Sequence, residues 1–150
     1  MSEIANGTNR TERKSRVPAD FAGEHLVFGE LKKRGFDAQV GPREHEMLVR
    51  AGDSPPTPIQ VKTVHVTPWY VRHASFVGSL ADKVTVLVLL GIGRNTKSAR
   101  FFIAKNEDLI VKIRLTTNCK GVSEPSKRLA YGYIDCKSVE QYEDNWDILR

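Results

Sequence analysis

The chain of 150 residues contains only two cysteines, Cys119 and Cys136, which stand too far apart for the paired spacing of a structural zinc site. With so little thiol, a reducing cytoplasm is the expected setting. Histidine is also sparse, and His65 and His73 lack the companion ligands that zinc requires. No apolar run approaches the roughly 18 residues of a membrane span. The longest, residues 84–92, is interrupted and reads as a strand. The opening residues lack a basic segment leading into an apolar stretch, so no secretory signal is expected. No period of 20 to 50 residues recurs, which excludes a repeat architecture. Gly91-Ile92-Gly93 has neither the strand-to-helix context nor the third glycine of a dinucleotide fingerprint, and a nucleotide-binding loop is set aside.

What is present is a basic chain with a net charge of +5 and a pI near 9.3, which favours anionic partners without identifying one. Residues 1–18 are polar and nearly free of apolar anchors, and they predict a mobile tail. Arg10, Arg13, Lys14 and Arg16 give that tail its charge. Residues 19–150 are long enough for one domain with a real core.

Residues 20–34 predict a helix, with Lys32, Lys33 and Arg34 in its last turn and Gly35 just beyond it. Phe21, Val27, Phe28 and Leu31 fall on one face at helical spacing, and Glu24 lies within that apolar stripe. A carboxylate there calls for a partner or a ligand. Residues 36–40 predict a strand. Residues 84–91 predict a central strand covered on both faces, and residues 100–104 the next one, joined through a turn at Gly93-Arg94-Asn95. Asn106 is placed to cap a helix over residues 107–114. A loop over residues 116–129 carries Lys120, Lys127 and Arg128. A strand at 130–134 and a short helix from 138 to 142 follow, after which Trp146, Ile148 and Leu149 return to the core. The segment 67–83, with Pro68, Trp69, Tyr70, Arg72, His73 and Phe76, has two readings: aromatic and basic residues that hold nucleic acid, or a connector packed as a satellite core. The order of elements predicts an α/β sandwich with a central mixed β-sheet flanked by helices.

Residues 46–63 concentrate the chemistry. Met47-Leu48-Val49 and the alternating Ile59-Gln60-Val61-Lys62-Thr63 predict two strands, and the turn residues between them predict a hairpin. Centred near Ser54, the hairpin would set Glu46 opposite Lys62 and Leu48 opposite Gln60. Alternation puts Gln60 and Lys62 on one face, with Ile59 and Val61 turned to the core. Hard cations such as Mg²⁺ or Mn²⁺ take oxygen ligands, and Glu46, the Gln60 side-chain oxygen and the Val61 carbonyl supply three. Lys62 is suited to position a water or to offset charge on a phosphate. Glu44 is a spare acid, and His45 adjoins the site with no assigned role.

The segments GEHLVFGELKKRGF, EMLV and IQVKT, in that order, resemble the PD-(D/E)XK nuclease superfamily, and within it small resolvase-like and restriction-endonuclease-like members with Q-x-K in the third motif. The resemblance runs from Asp20 to the C-terminus. It implies a restriction-endonuclease-like fold and a Mg²⁺-dependent endonuclease acting on DNA, in some members as a homodimer. By resemblance, Glu46 takes the place of the first-motif Asp, Gln60 that of the Glu or Gln, and Lys62 that of the Lys. Glu24, eleven residues before Gly35, takes that of the helix glutamate near the active site. Two departures stand out: Glu46 is one methylene longer than Asp, and Gln60 removes one negative charge. The alternative they leave open is a catalytically degenerate nuclease-fold module that binds nucleic acid or protein without cleaving it.

Overall fold

A computed structural model describes residues 18–91, 99–115 and 131–150. The expected tail up to residue 17, the turn at Gly93-Arg94-Asn95 and the loop at 116–129 lie outside the described residues.

Helix α1, Pro18–Lys33, begins on a proline whose fixed φ suits a first turn. It ends as the sequence predicts. Gly35 adopts φ 88°, its N–H donates to the Lys32 carbonyl, and the Phe36 N–H donates to the Leu31 carbonyl at 2.9 Å. These are the two bonds of a Schellman cap, and Leu31 and Phe36 supply its apolar contact by packing into the same core. The buried stripe differs from the expected one. It runs through Gly23, Val27 and Leu31, whereas Phe21 and Phe28 remain 59% and 36% exposed. The cause is Gly23, which lies so close to the strand carrying Thr63 that a Cβ would overlap the Thr63 hydroxyl. That approach turns the helix and leaves both phenylalanines at its flank.

The main sheet contains β1 (Asp37–Val40), β2 (Glu46–Arg50), β3 (Thr57–Val64), β5 (Val84–Leu89) and β6 (Arg100–Lys105), in the order β1-β2-β3-β5-β6. Every neighbouring pair is antiparallel except β3 with β5, which makes the sheet mixed. A parallel pair needs a crossover. Here it holds β4 (Trp69–Arg72) and two 3₁₀ turns, His73–Phe76 and Gly78–Leu80. β4 was not expected within this connector; at four residues after Pro68 it is too short to announce itself. It joins a second sheet of order β4-β8-β7, with β7 at Arg114–Leu115 and β8 at Tyr131–Ile134.

Helix α2, Asn106–Ile110, is shorter than expected. Bonds from Lys112 N–H to Leu109 and from Ile113 N–H to Ile110 tighten its end, and Arg114 belongs to β7. Asn106 does not cap it; its side chain is buried and employed elsewhere. The C-terminal part forms two 3₁₀ segments, Cys136–Tyr142 and Trp146–Leu149. Trp146 and Leu149 are buried, as expected, with the Trp146 ring 5.5 Å from that of Phe101.

β5 is covered on both faces, so the sheet separates two cores. On the α1 side lie Val27, Leu31, Ile59, Val61, Val86 and Trp146. On the other lie Trp69, Phe76, Leu87, Phe102, Leu109 and Ile134, where the Trp69 indole donates to the Val88 carbonyl at 3.0 Å.

The β2–β3 hairpin forms in a register displaced from the expected one. Glu46 is opposite Gln60, Met47 opposite Ile59 and Leu48 opposite Pro58, which centres the turn on Asp53 instead of Ser54. Gly52 at φ 61° and the bond from Ser54 N–H to Ala51 close the turn one residue early. Partners therefore shift by two, an even number, and no side chain changes face.

Candidate functional site

Directly opposed on antiparallel strands, Glu46 and Gln60 project from the same face with Cβ atoms about 5 Å apart, as such pairs do. They line one cleft with Arg43, Glu44, Pro58, Ser75 and Lys83. Among the described residues the Glu46 carboxylate has no ion-pair partner. Its chain folds over Gly41, where a Cβ would stand 2.8 Å from Glu46 Cγ.

Gln60 is held by a hydrogen-bond chain with one possible direction. Its Nε2 donates to the Ser75 carbonyl at 3.1 Å and to the Thr85 hydroxyl at 2.6 Å. The Thr85 hydroxyl donates in turn to Asn106 Oδ1 at 2.5 Å. Asn106 Nδ2 then donates to the carbonyls of Leu80 at 2.8 Å and Ser75 at 3.4 Å. Because backbone carbonyls only accept, both amides have fixed orientations. Gln60 Oε1 is left facing away from the network. Thr85 and Asn106 are the buried polar residues of the described core, and each satisfies the other.

The third oxygen expected for the site belongs to Val61. Val61 N–H donates to the His45 carbonyl at 3.0 Å, one rung beyond the end of β2. In an antiparallel ladder the residue that donates to a partner also turns its carbonyl toward it, so the Val61 carbonyl points to the β2 side of β3. His45 sits at φ 60° and Glu46 N–H bonds to Arg43 instead, which ends the ladder there. His45 Nδ1 lies 2.9 Å from Glu24 Oε1, with Asp20 and Glu44 oxygens 3.9 and 3.4 Å from Nε2. Glu24 is thus brought to the end of the sheet. It shares a groove with Glu46, Phe21, Phe28 and Val40 and does not line the Gln60 cleft.

Lys62 follows Gln60 on the same face, half-buried and without an ion pair among the described residues. Burial holds its ammonium below the usual lysine range; Asp20 pulls the other way, and Arg72 adds to the depression. A lysine in this condition gives up a proton more readily than one in water.

The structure therefore sets Glu46 opposite Gln60 in one cleft, with Lys62 two residues further along the Gln60 strand and Glu24 around the sheet's end through His45. It also adds groups the sequence did not single out: Thr85 and Asn106 behind Gln60, and Arg43 and Lys83 in the cleft. The three oxygens form a hard donor set of the kind that suits Mg²⁺ or Mn²⁺, with water completing the shell. Glu46 is the one carboxylate among these three oxygens, and the spare acid Glu44 lines the same cleft. Among the described residues no three His, Cys, Asp or Glu side chains gather as a metal cluster.

No protein-family model and no curated protein matches this sequence. Among solved structures, the chain is similar to Hjc, a Holliday junction resolvase of the archaeal hyperthermophile Archaeoglobus fulgidus. The TM-score is 0.55 at 14% sequence identity, and the match covers 86% of this chain and 93% of that one. The likeness is one of fold: the chain has the restriction-endonuclease-like α/β architecture.

Proposed function

We propose that the protein is a Mg²⁺-dependent endonuclease-like protein that hydrolyses phosphodiester bonds in DNA. The observation that carries this reading is the placement of Gln60 opposite Glu46, with the amide nitrogen tied to a buried network and the oxygen left out of it. Glu46, Gln60 Oε1 and the Val61 carbonyl would hold the cation. When bound, it would supply Lewis-acid stabilisation of a phosphoryl oxygen and lower the pKa of a water. Lys62, with its proton loosely held, orients the attacking water or meets charge developing on the phosphate. Arg43 and Lys83 hold the backbone in the cleft. Glu24 acts at one remove, positioned by His45. The neighbouring structure's description as a Holliday junction resolvase makes branched DNA the first substrate to try.

A second reading is a nuclease-fold module that binds DNA without cutting it, favoured by the lone carboxylate among the oxygens. The test is incubation with supercoiled, branched and single-stranded DNA in Mg²⁺ or Mn²⁺, with Glu46→Ala and Lys62→Ala alongside. Cleavage by the wild type and its loss in both folded variants is expected. Retained binding with no cleavage in either metal selects the second reading. Equal cutting by wild type and variants traces the activity to a contaminant.

A further inference from the structure

Alternation along β4 sends Trp69 and Val71 inward and Tyr70 and Arg72 outward. Across the small sheet, Tyr70 pairs with Tyr133, Arg72 with Tyr131, and Arg114 with Tyr133. Rings and guanidinium groups therefore alternate over one outer face. The Tyr70 and Tyr133 centroids are 6.5 Å apart, and the Arg72 guanidinium carbon lies 5.5 Å from the Tyr131 ring centre. Tyr70 is 73% exposed and Tyr131 48%.

The two readings of the aromatic connector thus divide by side chain. Trp69 and Phe76 are core. Tyr70 keeps most of its surface in water and contributes little to that core. Tyrosine faces interleaved with arginines suit nucleobases and phosphates together, and the stacking is tolerant of sequence. Neither β4 nor β8 carries a carboxylate. The nearby acid is Asp135, whose oxygen lies 3.7 Å from Arg114 Nε, so Arg72 is the cation free of an acid partner among the described residues. The face is also tied to the cleft along the chain. β4 leads straight into the His73–Phe76 turn, and Ser75 of that turn accepts from Gln60.

We propose that the outer face of the small sheet is a stacking platform for unpaired nucleotides of a DNA strand that continues into the Glu46–Gln60 cleft. The proposal rests on the DNA reading above and extends it to substrates with single-stranded character. Its test is fluorescence-anisotropy binding in EDTA, where cleavage plays no part, using labelled oligothymidylate and a blunt duplex of equal length. Tyr70→Ala should weaken oligothymidylate binding roughly tenfold, the scale of one lost base–aromatic stack, and change duplex binding less than twofold. Tyr70→Phe, which keeps the ring face, should bind like wild type. Circular dichroism checks that the variants are folded. Wild-type affinity in a folded Tyr70→Ala, equal loss for both DNAs, or no single-strand affinity in the wild type each overturns the platform. A protein that binds single strands through Tyr70 yet never cuts upholds it while rejecting hydrolysis.

Discussion

Thr85→Val tests whether the buried chain behind Gln60 sets the candidate site. The substitution nearly preserves shape but removes a hydroxyl that accepts from Gln60 and donates to Asn106. Thr85 is fully buried and Asn106 almost so, so no water replaces the lost partner. Two hydrogen bonds at about 1 kcal/mol each, plus about 1–2 kcal/mol for an Asn106 oxygen left unpaired, predict a loss of roughly 3–4 kcal/mol. For a domain of this size that is roughly 6–16 °C in Tm at about 2–4 °C per kcal/mol. Gln60 keeps its bond to the Ser75 carbonyl, so its amide oxygen loses one of two anchors and wanders. Cleavage should then require more Mg²⁺ while DNA binding in EDTA is unchanged. Thr85→Ser is the control: it restores the hydroxyl, loses about 0.8 kcal/mol of methyl burial and should recover the metal dependence. Thermal denaturation and Mg²⁺ titration of cleavage read both effects. A Thr85→Val protein as stable as wild type, with the same Mg²⁺ requirement, would refute the reasoning.

Three further outcomes are expected. Lys62→Met should abolish cleavage yet raise Tm at neutral pH, because the partly desolvated ammonium is a cost to folding. The sign follows from its lowered pKa: between the folded value and the ordinary 10.5 the unfolded chain binds more protons, so wild-type stability rises with pH through that window, and denaturant titrations should show the rise flattened in the variant. Glu143 receives two 2.8 Å bonds from Arg100, which hold its carboxyl below the ordinary 4.5. That contribution is complete above the ordinary value and lost as pH falls through the folded one, so Glu143→Gln should cost about 1 kcal/mol at pH 7, discounted for exposure, with the deficit shrinking in acid. Gly23→Ala should destabilise by roughly 1–3 kcal/mol through overpacking, despite about 1 kcal/mol gained in helix propensity, because the added methyl meets Thr63; a rise in Tm would contradict the close helix–strand contact.

Local rules made much of this molecule readable in advance. β5 announced itself by unbroken β-branched and aliphatic residues, the end of α1 by Gly35, and the shared face of Gln60 and Lys62 by simple parity. Features fixed by distant contacts were not readable. Thr85 looked like one more strand former, and Asn106 like a helix cap, because the bond that joins them spans 21 residues. The buried side of α1 was misassigned at Phe21 and Phe28 because Gly23, which carries no hydrophobic signal, decides how the helix sits. The hairpin register depended on which turn residue takes positive φ, and Gly52 settled it one position before the expected centre.

The crossover between the parallel strands gives one short stretch of chain two duties. Tyr70 and Arg72 look outward from β4, and three residues later the Ser75 carbonyl clasps Gln60 and Asn106. Lengthening or shortening that stretch would unhook the amide even if every residue of the cleft were kept. A redesign of substrate preference is therefore best confined to the outward positions of β4 and β8, with the spacing from Arg72 to Ser75 left as it stands.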